Sequence, residues 1–328
     1  MLVHLLVLNH NGRRLLDECL PSVLRAARAS SHRCDVVVID NESDDDSLAW
    51  LAERFPAVAT IRRPNRGLCS FNDVVPALAG PVAILLNNDV KLAADCIDPL
   101  VAPLVEPQRE AEPQCFMTVP LCRRFDGKTY EGLKTAVRWR WGLVQATAFY
   151  PGHEATLDRP DWTGSAGSIL AVDCRRFCEL GGFDPVFLPG RLEDLDLAFR
   201  GYLRGHHARY VPEAVAYHLG MGTFGPVFGR AGCEQLALRN TLLFQWKNLR
   251  HPLHLGRQMV GLPVRLAWDL LRAPWVGRQR RWMFTRALCG ALARLGALRS
   301  PTHRAETFPE RERHFFQRFH PRRLGATP

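Results

Sequence analysis

No stretch of this 328-residue sequence reads as a membrane span: Arg265, Asp269 and Arg272 interrupt the most apolar region and leave it short of a bilayer's thickness. The apolar start at 2–8 has no basic leader. It reaches Asn9-His10-Asn11 before a signal-peptide core and cleavage site could be completed, so it is read as a buried first strand. The ten cysteines form neither a tight regular framework nor a paired CxxC arrangement, which argues against a disulfide scaffold or zinc ribbon and for reduced cytosolic thiols. No segment repeats. Asn9-His10-Asn11-Gly12 lacks the GxGxxG pattern of a dinucleotide fingerprint. No serine stands in the GxSxG context of a hydrolase nucleophile.

What is present is a chain long enough to bury a substantial core, as one large α/β domain or as two units. Its charge is divided. Residues 1–245 carry 26 Lys+Arg against 29 Asp+Glu, whereas residues 246–328 carry 17 against 4, so the basic character belongs to the tail. Half of the eight tryptophans (Trp246, Trp268, Trp275 and Trp282) lie there too.

Short apolar runs alternate with longer mixed segments over the first hundred residues, the pattern of a parallel sheet with helical crossovers. Strands are expected at 2–8, 35–39, 58–61 and 82–86, and helices at 15–29, 47–55 and 69–78. The middle is less regular. Strands are expected at 115–120, 164–172, 208–211 and 215–217, an insertion at 126–160 and an amphipathic helix at 192–203. From 234 onward the pattern is helical, with breaks near Pro252, Pro263 and Pro274.

Two polar loops follow apolar strands, and in open α/β sheets ligands bind beyond the carboxyl ends of strands. Asp40 ends the run Val36-Val37-Val38-Ile39, where it fits either a nucleobase or ribose contact or a loop cap. Asn87-Asn88-Asp89 ends the next run; only Asp89 supplies the negative charge that lets a divalent cation bridge protein and diphosphate, and Asn88 could position a sugar or water. Glu193-Asp194-Leu195-Asp196 offers carboxylates for proton abstraction, or equally an acidic first helical turn. Asp196 and Arg200 have the i,i+4 spacing of an ion pair, which makes Asp194 the better general base. His218, after Val215-Ala216-Tyr217, could add an imidazole ligand.

Taken in order, several segments resemble the donor-binding half of family 2 glycosyltransferases: Val38-Ile39-Asp40-Asn41-Glu42-Ser43, Asn65-Arg66-Gly67, Asn72 and Leu85-Leu86-Asn87-Asn88-Asp89-Val90. Gly164-Ser165-Ala166-Gly167, Gly181-Gly182-Phe183-Asp184, the Glu193 to Leu197 acidic cluster and His218 continue the resemblance, and Arg239-Asn240 is similar to the bacterial rhamnosyltransferase-like branch. The resemblance covers about residues 1–250. It implies a GT-A fold with a mixed, mainly parallel central sheet: a catalytic domain at 1–245, with its donor part at about 1–110 and its acceptor part at about 111–245, and a basic helical extension at 246–328. It implies donor contacts at Asn9, Asp40, Asn65, Asn72 and Asn88, metal ligands at Asp89 and His218 for Mg²⁺ or Mn²⁺, Asp194 as the base, and Glu193 orienting the acceptor. The implied reaction is an inverting sugar transfer from a UDP-, dTDP- or GDP-linked donor to a saccharide or lipid-linked saccharide of the cell envelope, a rhamnosyl transfer being one form of it. The sequence departs from the family pattern at the metal loop, which lacks the first acid of a strict DxD, and at Leu68-Cys69-Ser70-Phe71, where a glycine- and alanine-rich turn is usual.

The segment 278–299 combines six arginines with Trp282, Leu288, Leu292, Leu295 and Leu298, as expected of a helix lying on an anionic membrane or packed on the catalytic domain. The expected location is therefore cytoplasmic, with the inner face of the cytoplasmic membrane as a peripheral site. Two competing functions are a nucleotidyltransferase acting on sugar phosphates, on the same fold class, and a nucleic-acid binder using the basic tail. No recognised reader motif accompanies that tail, and no specific nucleic acid is expected.

Overall fold

The computed structural model describes residues 1–106, 113–220, 224–298 and 308–325. A mixed sheet runs through the chain. Its first half is parallel, in the order β3 (Ala59–Arg63), β2 (Arg33–Asn41), β1 (Leu2–Asn9) and β4 (Val82–Asn87). β1 and β4 are buried over nearly their whole lengths, which is why they read as unbroken apolar runs. Helix α1 (Arg13–Ala29) returns the chain from β1 to β2 and buries Leu16, Leu20 and Val23 at helical spacing; α2 (Ser47–Arg54) returns it from β2 to β3.

The sheet then turns antiparallel. The short strand β5 (Val90–Leu92) and helix α3 (Ile97–Val105) lead into β6 (Gln114–Arg123), a long buried strand. β7 (Tyr130–Gly132) pairs with β6, and β8 (Ala136–Arg140) and β9 (Leu143–Thr147) form a separate hairpin. β10 (Asp161–Thr163) lies at the outer edge, and β11 (Ile169–Asp173) pairs antiparallel with both β4 and β6. Helices α4 (Cys174–Glu179) and α5 (Glu193–Leu203) precede β12 (His206–His218), which runs parallel to β6 and antiparallel to β5.

Three local expectations change. The helix expected at 69–78 is two 3₁₀ turns, Gly67–Asp73 and Val75–Ala77, because Pro76 has no N–H and biases Val75 away from the α conformation. The two strands expected at 208–211 and 215–217 are one, with a register shift between Val211 and Val215 around Pro212. Pro263 does not end its helix, since α7 (Pro252–Arg272) continues through it; Met259, whose carbonyl Pro263 leaves unpaired, lies on the exposed face where water can reach it.

Helix α6 (Phe224–Asn248), kinked at Gly229, runs through position 245 and opens a second core. Phe199 of α5 meets Phe244 of α6 and Phe315 and Phe316 of α9 (Phe308–Arg318), all buried. α8 (Met283–Leu292) buries Met283, Phe284, Ala287 and Ala291, and α10 (Pro321–Leu324) buries Leu324. The helix expected at 278–299 is thus shorter, and its apolar side faces protein. Trp282 caps it in a left-handed conformation, and Arg299 lies outside the described residues. Arginines of the tail act as internal braces. Arg250, Arg265, Arg286, Arg294 and Arg311 each donate to main-chain carbonyls, a use of the guanidinium fork that leaves them less free for phosphate.

Beneath the first turn of α5 lies a charged cluster. Asp196 is fully buried, accepting from Arg200 Nε at 2.7 Å, Lys247 Nζ at 2.8 Å and Asn248 Nδ2 at 2.7 Å, while Lys247 also meets Asp184 Oδ2 at 2.7 Å. Burial alone would raise the Asp196 carboxyl, but Arg200 and Lys247 outweigh it and hold the group below its ordinary range. Asp196→Ala should cost about 3–5 kcal/mol of unfolding free energy, because it strips Arg200 of its carboxylate and the buried Lys247 of one of its two; urea titration reads this, and a loss under about 1 kcal/mol would refute the structural role.

Candidate functional site

The carboxyl ends of β1, β2 and β4, together with the end of β12, open into one cleft of about 680 Å³. Its walls include Asn9, Asn41, Asn65, Asn88, Asp89, Glu131, Ser165, Glu193, Asp194 and His218. Seven of the nine residues singled out from sequence therefore share this cleft: Asn9, Asn65, Asn88, Asp89, Glu193, Asp194 and His218.

Sheet register brings Asp89 and His218 together. His218 of β12 pairs with Val90 of β5, and Leu219 N donates to the Asp89 carbonyl at 3.1 Å. His218 Nε2 consequently lies 3.3 Å from Asp89 Oδ1, and Nδ1 lies 3.7 Å from Glu131 Oε1. Burial disfavours the charged imidazole, yet the two carboxylates outweigh it and raise His218 to about 9. Arg124 Nε holds the other Glu131 oxygen at 2.8 Å. Glu131 was not foreseen; it sits in the irregular 126–160 segment, where nothing local marks it as a partner of a residue 87 positions away.

The Asp89–His218 arrangement fits a hard divalent cation. Asp89 Oδ1 is buried without a hydrogen-bond partner, and an unsatisfied carboxylate oxygen beside an imidazole nitrogen is a donor set that Mn²⁺ or Mg²⁺ accepts. Glu131 at Nδ1 would orient the ring, as second partners of ligating histidines commonly do. Among the described residues no three His, Cys, Asp or Glu side chains converge as a complete metal-binding group, so the remaining positions would fall to ligand oxygens and water.

On the β1–β4 wall a chain of side-chain bonds runs inward. Asn88 Nδ2 donates to Asn9 Oδ1 at 2.8 Å, and Asn9 Nδ2 reaches Ser43 Oγ at 3.2 Å and Asp40 Oδ1 at 3.4 Å. Asp40 is fully buried at the inner end of this chain, does not line the cleft, and accepts from Ser43 N. Its neighbour Asn41, turned the other way by the strand's period of two, lines the cleft, with Oδ1 buried and unpaired. Asn72 also stays away from the cleft: it donates to Phe183 O at 2.7 Å and accepts from Phe183 N at 2.9 Å, both ends being committed to main chain.

Gly12 is a further residue that pattern reading passed over. A Cβ there would sit 1.9 Å from Asn88 Nδ2 and 2.5 Å from Asn9 Oδ1. Gly12→Ala should therefore break the amide pair and weaken donor binding roughly 10–100-fold, the scale of an overpacking cost, with the thermal midpoint little changed. Calorimetric titration with a nucleoside diphosphate would show it, and unchanged affinity would remove the amide pair from the donor site.

On the opposite wall the first turn of α5 presents Glu193 and Asp194. Asn240 of α6 donates to the carbonyls of Phe187, Gly190 and Arg191, and Arg239 and Arg294 both donate to Leu188 O. These bonds hold a loop whose Arg191 and Leu192 adopt positive φ immediately before the acidic pair. Ser165 Oγ donates to Asp194 Oδ2 at 2.7 Å. From the same loop, Ser168 O accepts from Asn87 N at 3.2 Å, so one short segment ties the Asp194 wall to the Asp89 loop. Glu193 Oε2 is buried without a partner, and burial, reinforced by Asp194, raises its carboxyl to about 8. Burial thus favours the protonated form of Glu193.

The fold is that of GT-A glycosyltransferases, with a parallel half and an acidic cleft at its strand ends. The family model for Glycosyl transferase family 2 matches residues 5–158, a little under half of the chain. It is 24% identical over 223 residues to the Putative polypeptide N-acetylgalactosaminyltransferase 10 of Drosophila melanogaster, covering 62% of this chain and 34% of the relative. It is 24% identical over 251 residues to N-acetylgalactosaminyltransferase 7 of the same organism, covering 70% of this chain and 41% of the relative. The chain thus spans less than half the length of these curated relatives. Among solved structures it resembles GalNAc-T7 with UDP, GalNAc and Mn²⁺ (TM-score 0.54, 22% identity, 75% of this chain and 48% of that one). It also resembles S. aureus TarS 1-349 (TM-score 0.53, 12% identity, 99% of this chain and 89% of that one).

Proposed function

We propose that the chain is an inverting, metal-dependent glycosyltransferase that moves a sugar from a nucleotide-sugar donor to a hydroxyl of a saccharide or lipid-linked saccharide of the cell envelope. The observation that carries this reading is the single cleft in which the Asp89–His218 pair stands on one wall and Asp194 on the other. Asn9, Asn41, Asn65 and Asn88 line the donor side, and their amides suit the hydroxyls and ring atoms of a nucleoside and sugar. Asp194, held by Ser165, takes the proton from the acceptor hydroxyl as that oxygen attacks the anomeric carbon. The anomeric carbon–oxygen bond breaks with inversion, and the nucleoside diphosphate leaves on the Asp89 side. Asp89 and His218 would hold the cation, which when bound supplies positive charge to the departing diphosphate.

The UDP and Mn²⁺ held by GalNAc-T7 make a UDP-linked sugar with Mn²⁺ the first donor to test, followed by dTDP-rhamnose and GDP-linked sugars. The test is a donor panel against a lipid-extract acceptor pool, with Mn²⁺ or Mg²⁺ and product mass and linkage determined. A product heavier by one sugar, of inverted anomeric configuration, is expected. A product carrying the nucleotide would instead identify a nucleotidyltransferase, and retention of configuration would remove Asp194 from the role of base.

A further inference from the structure

Helix α7 has an outward face with almost nothing polar on it. Its inner side buries His254, Gln258, Gly261 and Asp269. Leu253, Val260, Val264 and Leu271, spaced seven, four and seven residues apart, run down the other side with Met259 and Trp268 beside them, and all six are exposed, Met259 at 76% and Val260 at 69%. Trp275, in the turn that follows, is 82% exposed. An apolar strip of this length, interrupted by Arg257 one turn after Leu253, is far from the scattered single hydrophobics of an ordinary surface.

The charge around the strip has one sign. Between residues 251 and 298 the only acid is Asp269, and it is turned inward, accepting from Thr285 N and Oγ1 at 2.9 Å to cap α8. Arg257 on α7 and Arg278 and Arg281 just beyond it are exposed. The chain thus carries exposed arginines and tryptophans on an apolar helix face and in the segment just after it. That pattern matches a bilayer surface of anionic phospholipid, where apolar side chains enter the acyl boundary, indoles sit at headgroup level and guanidinium groups meet phosphate. An acidic protein groove would supply the charge but would need a shape for every indole. No helix among the described residues is long and apolar enough to cross a membrane, so this face would lie on the surface.

We infer that the outward face of α7, with Trp268, Trp275 and its flanking arginines, is a docking surface for an anionic phospholipid bilayer. The surface communicates with the cleft. Gly261 packs so closely on Gly142 that a Cβ at either would approach within 2.5 Å of the other's Cα, and Arg265 donates to the carbonyls of Trp141 and Arg140. Those residues form the turn of the β8–β9 hairpin, whose Ala146 and Thr147 line the cleft. A bilayer under α7 is therefore joined, through one hairpin, to a wall of the cleft. The inference goes beyond the transfer reading, and either can fail alone.

The test is flotation of the full chain with vesicles of phosphatidylglycerol and phosphatidylcholine, and with phosphatidylcholine alone, without donor or acceptor. The protein should float with the anionic vesicles, and brominated lipids should quench its tryptophan fluorescence. The variant Val260→Ser/Val264→Ser/Trp268→Ser/Leu271→Ser should lose at least about tenfold in partitioning, with its circular dichroism and thermal midpoint retained. Three results would overturn the inference: no flotation of the unmodified chain, flotation that survives the variant and vanishes with modest salt, or a concentration-dependent dimer that the variant abolishes while vesicles bind nothing. A milder variant, Trp275→Ser alone, should lower quenching and leave the fold untouched.

Discussion

Asp194→Asn should lower turnover by about 10²–10⁴-fold, the usual contribution of a positioned general base, while donor affinity changes less than about twofold. The asparagine keeps the size of the side chain and an oxygen for the Ser165 hydroxyl, 2.7 Å away in the parent protein, so the loss isolates the proton acceptor. Single-turnover transfer together with calorimetric donor titration separates the two effects; equal losses of turnover and donor binding would mean that Asp194 shapes the site without accepting the proton. Glu193 makes the assignment sharper. Raised to about 8 by burial and by its neighbour Asp194, it favours its protonated form near neutral pH, which leaves Asp194 the more available proton acceptor.

That protonation carries its own pH signature. The ordinary carboxyl ionises near 4.5, and in the folded chain Glu193 does so near 8, so folding favours its protonated form. The stabilisation is fully present below pH 4.5 and is lost as pH rises through about 8. Glu193→Gln should therefore flatten the fall of the thermal midpoint between about pH 5 and 8 while transfer at pH 7 stays within a few-fold. A fall over that range identical to the parent's would show that Glu193 ionises near its ordinary value. His218, raised to about 9 by Asp89 and Glu131 against its burial, adds a fall of its own that extends from about 6.5 to 9.

Much of this cleft was legible in the sequence because its parts follow strands. Asn9 and Asp89 end apolar runs, and a parallel sheet delivers such ends to one edge without any knowledge of the packing. The same logic does not distinguish Asp40 from its neighbour: alternation along the strand sends Asp40 inward and Asn41 into the cleft, and the run of apolar residues before it shows no alternation from which to read the face. Asn72 is hidden for a different reason. Its fragment lies beside the donor segments, but its amide is claimed by the backbone of Phe183, a contact over 111 positions that local pattern cannot reveal. Asp196 shows the reverse, since i,i+4 spacing with Arg200 correctly set it apart as an ion-pair residue, although Lys247 and Asn248 were out of reach of that argument. The tail was legible only as alternatives. The arginines and apolar residues of 278–299 fit a helix lying on an anionic membrane or packed on the catalytic domain, and α8 packs, whereas the exposed apolar surface lies one helix earlier, on α7, where few charges interrupt it; composition locates charge, but only packing decides which apolar face is left uncovered.

Asp89→Asn should lower transfer by about 10²–10³-fold and raise the Mn²⁺ concentration needed for half-maximal activity at least about tenfold, in keeping with the several kcal/mol that a cation supplies to a developing diphosphate. The substitution preserves shape and removes one charge. Asp89 is the one carboxylate of the Asn87-Asn88-Asp89 loop, so no neighbour on that loop can replace it. His218→Ala should weaken the Mn²⁺ response less, because an imidazole is neutral when it ligates, and Glu131→Gln less again, because Glu131 acts only through the ring 3.7 Å away. The order Asp89, His218, Glu131 is the informative result. Counting free Mn²⁺ by electron paramagnetic resonance, with nucleoside diphosphate present, measures it without relying on turnover. If all three variants titrate like the parent, the cation is held elsewhere. If Glu131→Gln matches Asp89→Asn, Glu131 is itself a ligand, and the side-chain set grows from two members to three.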